Sequence, residues 1–554
     1  MTGRPVLTAF GFLLLGACSS DSGSGPADGG DGGEAPTCDI AALQKEVPFP
    51  DCDLPAGLEP IVGNFSSGNN YMFDPDNLLL YEIAMSDAEW RVACENARDH
   101  AHAEWKGGDL EDNFVDTWAK ARLRVDDEGL DCVGWRMRGD IHIERLFFQD
   151  DTDEDPEPEF QDCLNFEFAF KPSFKIGTRY FIRGQEFHEQ QHISIGGQEG
   201  GNSQMRDYLI AQLAESFGVP SPRVNHGLLC INGVYRGVIT IQEEHDDQPF
   251  LDYHFPDEED GSYYKVHDNG PMSFYEGGDM DRYRTDSYEP VAGTSEDDAG
   301  AIVPFTAETD IVELLNFSNF TEPDDFAAEI DTRFQADAWL KLMAIETVMA
   351  DIDGMFGAKH NYLLYNHPTD GWWPVRNDWD GSFSLNRLFD PGTEMTKDRL
   401  YGLRPDFNDE EADLCDGRAQ IDEPLDDDCP GGCAERNVRH PVIAARLIYA
   451  RRAEYLAHVQ GFLDTVLDVA AYQAEVDERR ALLEPYYQDD PWVDAGDWSS
   501  DVDEIRTQLQ DLYDGATAAL ADALANPPAA ADASLEAEMM EACGDTSCWP
   551  YACP

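Results

Sequence analysis

The chain has 554 residues, with 38 lysines and arginines against 111 aspartates and glutamates, for a formal charge of −73. A chain this acidic excludes most nucleic-acid partners, because a phosphate backbone is bound through basic surface. Hydrophobic residues at 42% and aromatics at 11% are ample for a packed core.

At the start, Arg4 precedes the apolar run Val6 to Leu15. A permanent membrane helix needs about 20 such residues, so residues 1–17 read as a cleavable signal peptide. Leu15-Gly16-Ala17-Cys18 resembles the lipobox of bacterial lipoproteins, which makes Cys18 the expected lipid attachment site. A plain secretory signal is the alternative. Residues 18–37 follow as a Gly/Ser/Asp linker with no large apolar side chain over 19–36. The expected location is therefore extracytoplasmic, at the cell envelope, with a lipid anchor in the membrane. Removing Cys18 from the 13 cysteines leaves 12, an even number that predicts disulfides in an oxidising compartment. Cys429-x3-Cys433 and Cys543-x4-Cys548-x4-Cys553 lack the knuckles of a zinc site.

The body is expected over 38–530, β-rich over 60–300 and α-rich over 301–530, an α+β arrangement. Short apolar or alternating runs at 133–139, 164–170, 226–231 and 235–241 predict strands. One helix interrupts them: Asn202 or Ser203 caps it, Met205, Leu209, Leu213 and Phe217 form its stripe, and Gly218 with Pro220 ends it. Helical patterns follow near 333–350, 441–467 and 502–525, and a tail with three cysteines closes the chain over 531–554. The stretch 150–162 begins like a calcium loop with Asp151, Asp153 and Asp155. Pro156 and Asp162 stand where such a loop needs glycine and glutamate, so it reads as solvated surface, like 409–428.

Two patterns bear on chemistry. His188-Glu189-Gln190-Gln191-His192 is HExxH, a zinc-protease signature that works only on a helix. Gly184 before it and Ile193-Ser-Ile-Gly-Gly after it argue for turn and strand instead, which leaves a zinc protease as a remote alternative. Between 351 and 383, Asp351 and Asp353 follow the helix 338–350, then His360 and Asn361 open a hairpin that ends at Asp378-Trp379-Asp380. Phosphoryl transfer uses such a set, with one aspartate for the acceptor hydroxyl and an asparagine plus a second aspartate for the metal. On these residues alone, a hairpin with polar turns is an equal reading.

Several separated stretches, in order, resemble the CotH family of spore-coat and surface proteins, atypical kinases distantly similar to protein kinases. Residues 353–383, DGMFGAKHNYLLYNHPTDGWWPVRNDWDGSF, resemble its aspartate, HNYYLY and WDxD arrangement. GVPSPRVNHGLLCINGVYRGVITIQEE (218–244) resembles its Gly-x-Pro stop, its NGxYxG hairpin with Asn232, Gly233, Tyr235 and Gly237, and its closing glutamate, placed at Glu243. Arg206-Asp207, VGWRMRGD (133–140) and Tyr264-Lys265 stand at further family positions. Two departures are Trp379, which lies between the acids of the WDxD motif, and Asp140, where the family has asparagine.

The resemblance implies an atypical protein-kinase-like fold and transfer of the ATP γ-phosphoryl to serine or threonine of surface or coat proteins. Asp353 would be the catalytic acid-base group, and Asn361 with Asp380 or Asp378 would hold Mg2+ or Mn2+. Lys171, Lys175, Arg206 and Lys265 are the candidates for the nucleotide phosphates, with Glu243 pairing such a lysine. The Gly-rich stretch 196–203, leading into a helix, is a weaker candidate for an anion. A catalytically inactive surface, coat or adhesion module is the alternative from another class.

Overall fold

The computed structural model describes residues 37–63, 68–105, 117–139, 171–197, 201–245, 247–256, 261–266, 288–290, 310–321, 323–356, 361–384 and 442–526. The signal peptide, Cys18, Asp140, the stretches 150–162 and 409–428, the run 164–170, Gln198 to Gly200, His360 and the tail 531–554 lie outside the described residues.

Seven strands close a barrel: β1 Leu79–Ala84, β2 Ala119–Val125, β3 Glu128–Arg138, β4 Ser173–Gly177, β5 His192–Gly196, β6 Val224–Ile231 and β7 Val234–Glu243. The order is β1-β2-β3-β4-β5-β7-β6, antiparallel throughout except for the parallel β1·β6 pair that closes it. Alternation explains why one face turns inward. In β2, Ala119, Ala121, Leu123 and Val125 are buried while Lys120, Arg122 and Arg124 lie outside. The lumen fills with Trp135, Phe174, Ile176, Ile193, Ile195 and Ile241. β6 is buried on both faces because Leu228 and Cys230 pack outward against helix residues such as Leu209 and Leu213.

Helices α1 Ile40–Glu46, α2 Asp87–Trp105, α3 Arg206–Phe217 and α4 Gln248–His254 belong to this first half. α3 stops as expected, at Gly218 with a left-handed φ of 77°. It starts later than expected: Met205 is the N-cap residue without a side-chain bond, and Ser203 Oγ accepts only from Met205 N.

The second half contains α5 Asp310–Phe320, α6 Pro323–Arg333, α7 Ala336–Val348, α8 Val442–Gly461, α9 Val469–Tyr487 and α10 Ala495–Ala525. α7 is buried apart from Asp337 and Lys341, as a helix apolar all round must be. The division into a β-rich first half and an α-rich second half therefore holds, with one crossing. The hairpin β10 Tyr362–His367 and β11 Gly371–Arg376 joins β8 Ser262–Val266 and β9 Tyr288–Pro290 in a second sheet, ordered β11-β10-β8-β9.

Disulfides Cys38–Cys132 and Cys52–Cys230 pin the segment around α1 to β3 and β6. Cys94 is disulfide-bonded as well. Between the halves, Asp490 accepts from Lys171 Nζ at 2.6 Å and from Val238 N at 3.0 Å, so the α9–α10 connection is tied to β7.

His226 on β6 is buried, and its Nε2 donates to the Gln204 carbonyl at 2.9 Å. Burial, with Arg479 nearby, pushes it down to about 3. Its folded value lies below the ordinary one, so the unfolded chain binds the extra proton and stability falls as pH drops below about 6.5. Between pH 7 and pH 5 the unfolding free energy should decrease by about 2 kcal/mol more in the wild type than in His226→Gln, read by denaturant titration.

Candidate active site

The site begins with a carboxylate in the wrong place. Glu346 lies in the apolar helix α7, fully buried, where an unpaired charge would cost several kcal/mol. Its oxygens accept from Met355 N and Phe356 N, both at 3.1 Å, and one lies 3.5 Å from Arg376 Nε. The loop after α7 is thereby folded back on the helix. Gly354 is required there, since a Cβ would sit 2.5 Å from Glu346 Oε1. Asp351 accepts from Asp353 N at 2.9 Å and from Arg376 Nη2 at 2.9 Å.

Arg376, the last residue of β11, also donates to the carbonyl of Asn361. Burial works against its charge, but Asp351, Glu346 and Asp378 outweigh that and hold it above its ordinary value. Asn361 has a left-handed φ of 56°, a conformation asparagine tolerates better than most residues. Its Nδ2 donates to Asp353 Oδ2 at 2.9 Å. Gly381 makes the approach from the other side possible: a Cβ there would lie 2.3 Å from the Asp353 Cβ.

The first turn of α3 holds the remaining acids. Arg206 Nη1 donates to the Asp380 carbonyl at 2.9 Å, and Asp207 Oδ1 accepts from Trp379 N at 2.8 Å. Asp378 Oδ1 accepts from Asp380 N at 3.2 Å. The displaced tryptophan is absorbed into the core, where Nε1 donates to Ser221 Oγ at 2.9 Å and the Arg376 guanidinium lies 4.8 Å from its ring. The fold thus brings Asp353, Asn361, Asp378, Asp380 and Arg206 into one neighbourhood. Asp353, Asp378 and Asp380 are half-buried there, within reach of a ligand.

The cations divide differently from the expectation. Lys171 is fully buried on Asp490 and the Val238 carbonyl, a tie between the halves. Glu243 pairs with Arg223, not with a lysine, and that guanidinium is sandwiched by Phe73 at 4.5 Å and Tyr253 at 3.9 Å. The lysine partner is the next residue, Glu244, which meets Lys175 Nζ at 3.1 Å and accepts from Ser194 Oγ at 2.6 Å. Consecutive residues of an extended strand point to opposite sides, so only one of the two glutamates could face β4. Burial alone would raise Glu244; Lys175, His245, Arg138 and the Ser194 bond reverse this and hold it well below the usual carboxylate range. Lys265, buried on β8, pairs in register with Leu363 of β10, two positions after Asn361.

Residues 165–514 match the model of a family described as CotH, CotH kinase protein. The chain belongs to the CotH family. No curated protein gives a match. The CotH match spans every site residue from Lys171 to Asp380.

HExxH, which lies inside the CotH match, does not form a helix. His188 and Glu189 have φ of 49° and 69°, Phe187 and Gln190 close a tight turn, and His192 opens β5. The two histidines face different acids, His188 toward Glu128 at 3.1 Å and His192 toward Asp247 at 2.8 Å. Among the described residues, only Cys52, Asp53 and Cys230 gather as possible metal ligands, and these cysteines are joined in a disulfide.

Sequence reading missed Glu244, Glu346 and Arg376. The signal for the last two was present: one carboxylate in the apolar helix AWLKLMAIETV and one arginine closing the apolar strand GWWPVR each demand a buried partner.

Proposed function

We propose that this CotH protein is an atypical kinase with a protein-kinase-like fold. It transfers the γ-phosphoryl of ATP to serine or threonine of cell-surface or coat proteins, and it is held outside the cytoplasm by a lipid on Cys18. The observation that carries this reading is the convergence of Asp353, Asn361 and the Asp378–Asp380 turn, beside a second sheet that also carries Lys265.

Asp353 takes the proton of the acceptor hydroxyl as its oxygen attacks the γ-phosphorus; the bond from that phosphorus to the β–γ bridging oxygen breaks and ADP leaves. Asn361 orients the Asp353 carboxylate through its amide nitrogen. Its amide oxygen and Asp380 would hold the metal, because Asp378 commits one oxygen to Asp380 N. The set is made of hard oxygen donors. That fits Mg2+ or Mn2+, which use one or two carboxylates and leave the rest to water and phosphate. Such an ion, when bound, offsets the charge on the transferring phosphoryl group. Lys175, oriented by Glu244, serves the phosphates together with Lys265, while Arg206 positions Asp380. The disulfides support an oxidising, extracytoplasmic location.

The test is incubation of the full chain with labelled ATP, Mg2+ or Mn2+ and several surface proteins. Label in serine or threonine of an acceptor is expected. No incorporation with either metal and any acceptor would replace the kinase by a non-catalytic surface module.

A further inference from the structure

His245, directly after Glu244, has no part in the transfer step above. It is 8% exposed, its Nδ1 lies 3.7 Å from Glu244 Oε1, and its Nε2 has no hydrogen-bond partner among the described residues. Tyr263 on β8 donates to its carbonyl at 2.8 Å, which fixes the main chain here. Lys175 on β4 reaches the same Glu244 at 3.1 Å, and the charges of Lys175, Lys265 on β8 and Arg138 at the end of β3 all act on the imidazole. Glu244, held by Ser194 of β5, is the carboxylate that faces it. The ring is a proton acceptor kept neutral first by burial and then by the three cations, against Glu244.

We propose that this cluster is a proton-coupled site for linked phosphates: the polyanion binds among Arg138, Lys175 and Lys265, and His245 takes up one proton from solvent as it does so. The identity of the ligand as the triphosphate of ATP rests on the kinase reading; the coupling rests on the cluster itself. Burial pushes His245 down to about 3, with Glu244 opposing and Lys265, Lys175 and Arg138 adding to the depression. A polyanion against the same cations cancels their field and adds negative charge beside the ring. A triphosphate brings several charges, so the rise in proton affinity is placed at the upper end for a close charge, about 1000-fold. A group neutral in the free protein and protonated in the complex makes phosphate bind more tightly as pH falls.

Calorimetric titration of the full chain with inorganic tripolyphosphate, at pH 6 in buffers of different ionisation enthalpy, reads the protons taken up per ligand. The wild type should take up about half a proton more than His245→Gln, and its binding should tighten about fourfold more from pH 7.5 to pH 5.5. Lys265→Met, which keeps the imidazole but removes one cation, should weaken binding and reduce the uptake. Equal uptake in wild type and His245→Gln overturns the proposal, and so does a failure of tripolyphosphate to bind. Label transfer from ATP on the same preparations separates the two readings. Uptake without transfer removes the kinase alone, whereas transfer without His245-dependent uptake removes this proposal alone.

Discussion

Asp353→Asn is expected to lower kcat for phosphoryl transfer by about 10²–10⁴-fold, the usual contribution of a positioned general base. The KM for ATP should change little if Asp353 has the proposed role, in which it meets the acceptor hydroxyl and not the nucleotide. Asparagine keeps the size of the side chain and an oxygen that can accept from Asn361 Nδ2, so the loop bond to Asp351 and the approach of Gly381 survive. Thermal unfolding should therefore be nearly unchanged, which separates loss of chemistry from loss of structure. Initial rates over a range of ATP concentrations measure the effect. A variant with the wild-type kcat would remove Asp353 from the role of base.

Arg376→Met should have the opposite signature, a large loss of stability of about 3–5 kcal/mol, because removing one partner of a buried ion pair strands the other. Here two carboxylates are stranded: Glu346 and Asp351 are both fully buried and both face the guanidinium. The loss has a second component, since Arg376 also joins the Asp353 loop to the Asn361 carbonyl. Denaturant unfolding of Arg376→Met, Glu346→Gln and the double variant forms a cycle. The double variant should be less destabilised than the sum of the singles, because neutralising Glu346 removes part of the stranded charge. Additive losses would mean that Glu346 and Arg376 do not interact in the folded protein.

Where each residue's role depends on its neighbours in sequence, the order of residues alone determined it. Alternation in VGWRMRG, HGLLCI and YRGVITI marked strands that the barrel contains, and Gly218 with Pro220 marked the end of α3. The run from Asp353 through Asn361 to Asp380 was legible because the hairpin between them has its own strand and turn signals, and these bring its ends together. HExxH was legible as a turn and strand for the same local reason. Only the tertiary structure decided which charges meet. Lys171 finds Asp490 across 319 positions, Lys175 finds Glu244 while Arg223 takes Glu243, and Trp379 sinks into the core so that the acids on either side stay at the turn. These pairings follow from barrel closure, from the register that sends consecutive side chains to opposite sides, and from packing of the helical half. Each buried charge must end beside a partner, and which partner lies within reach is a property of the closed fold.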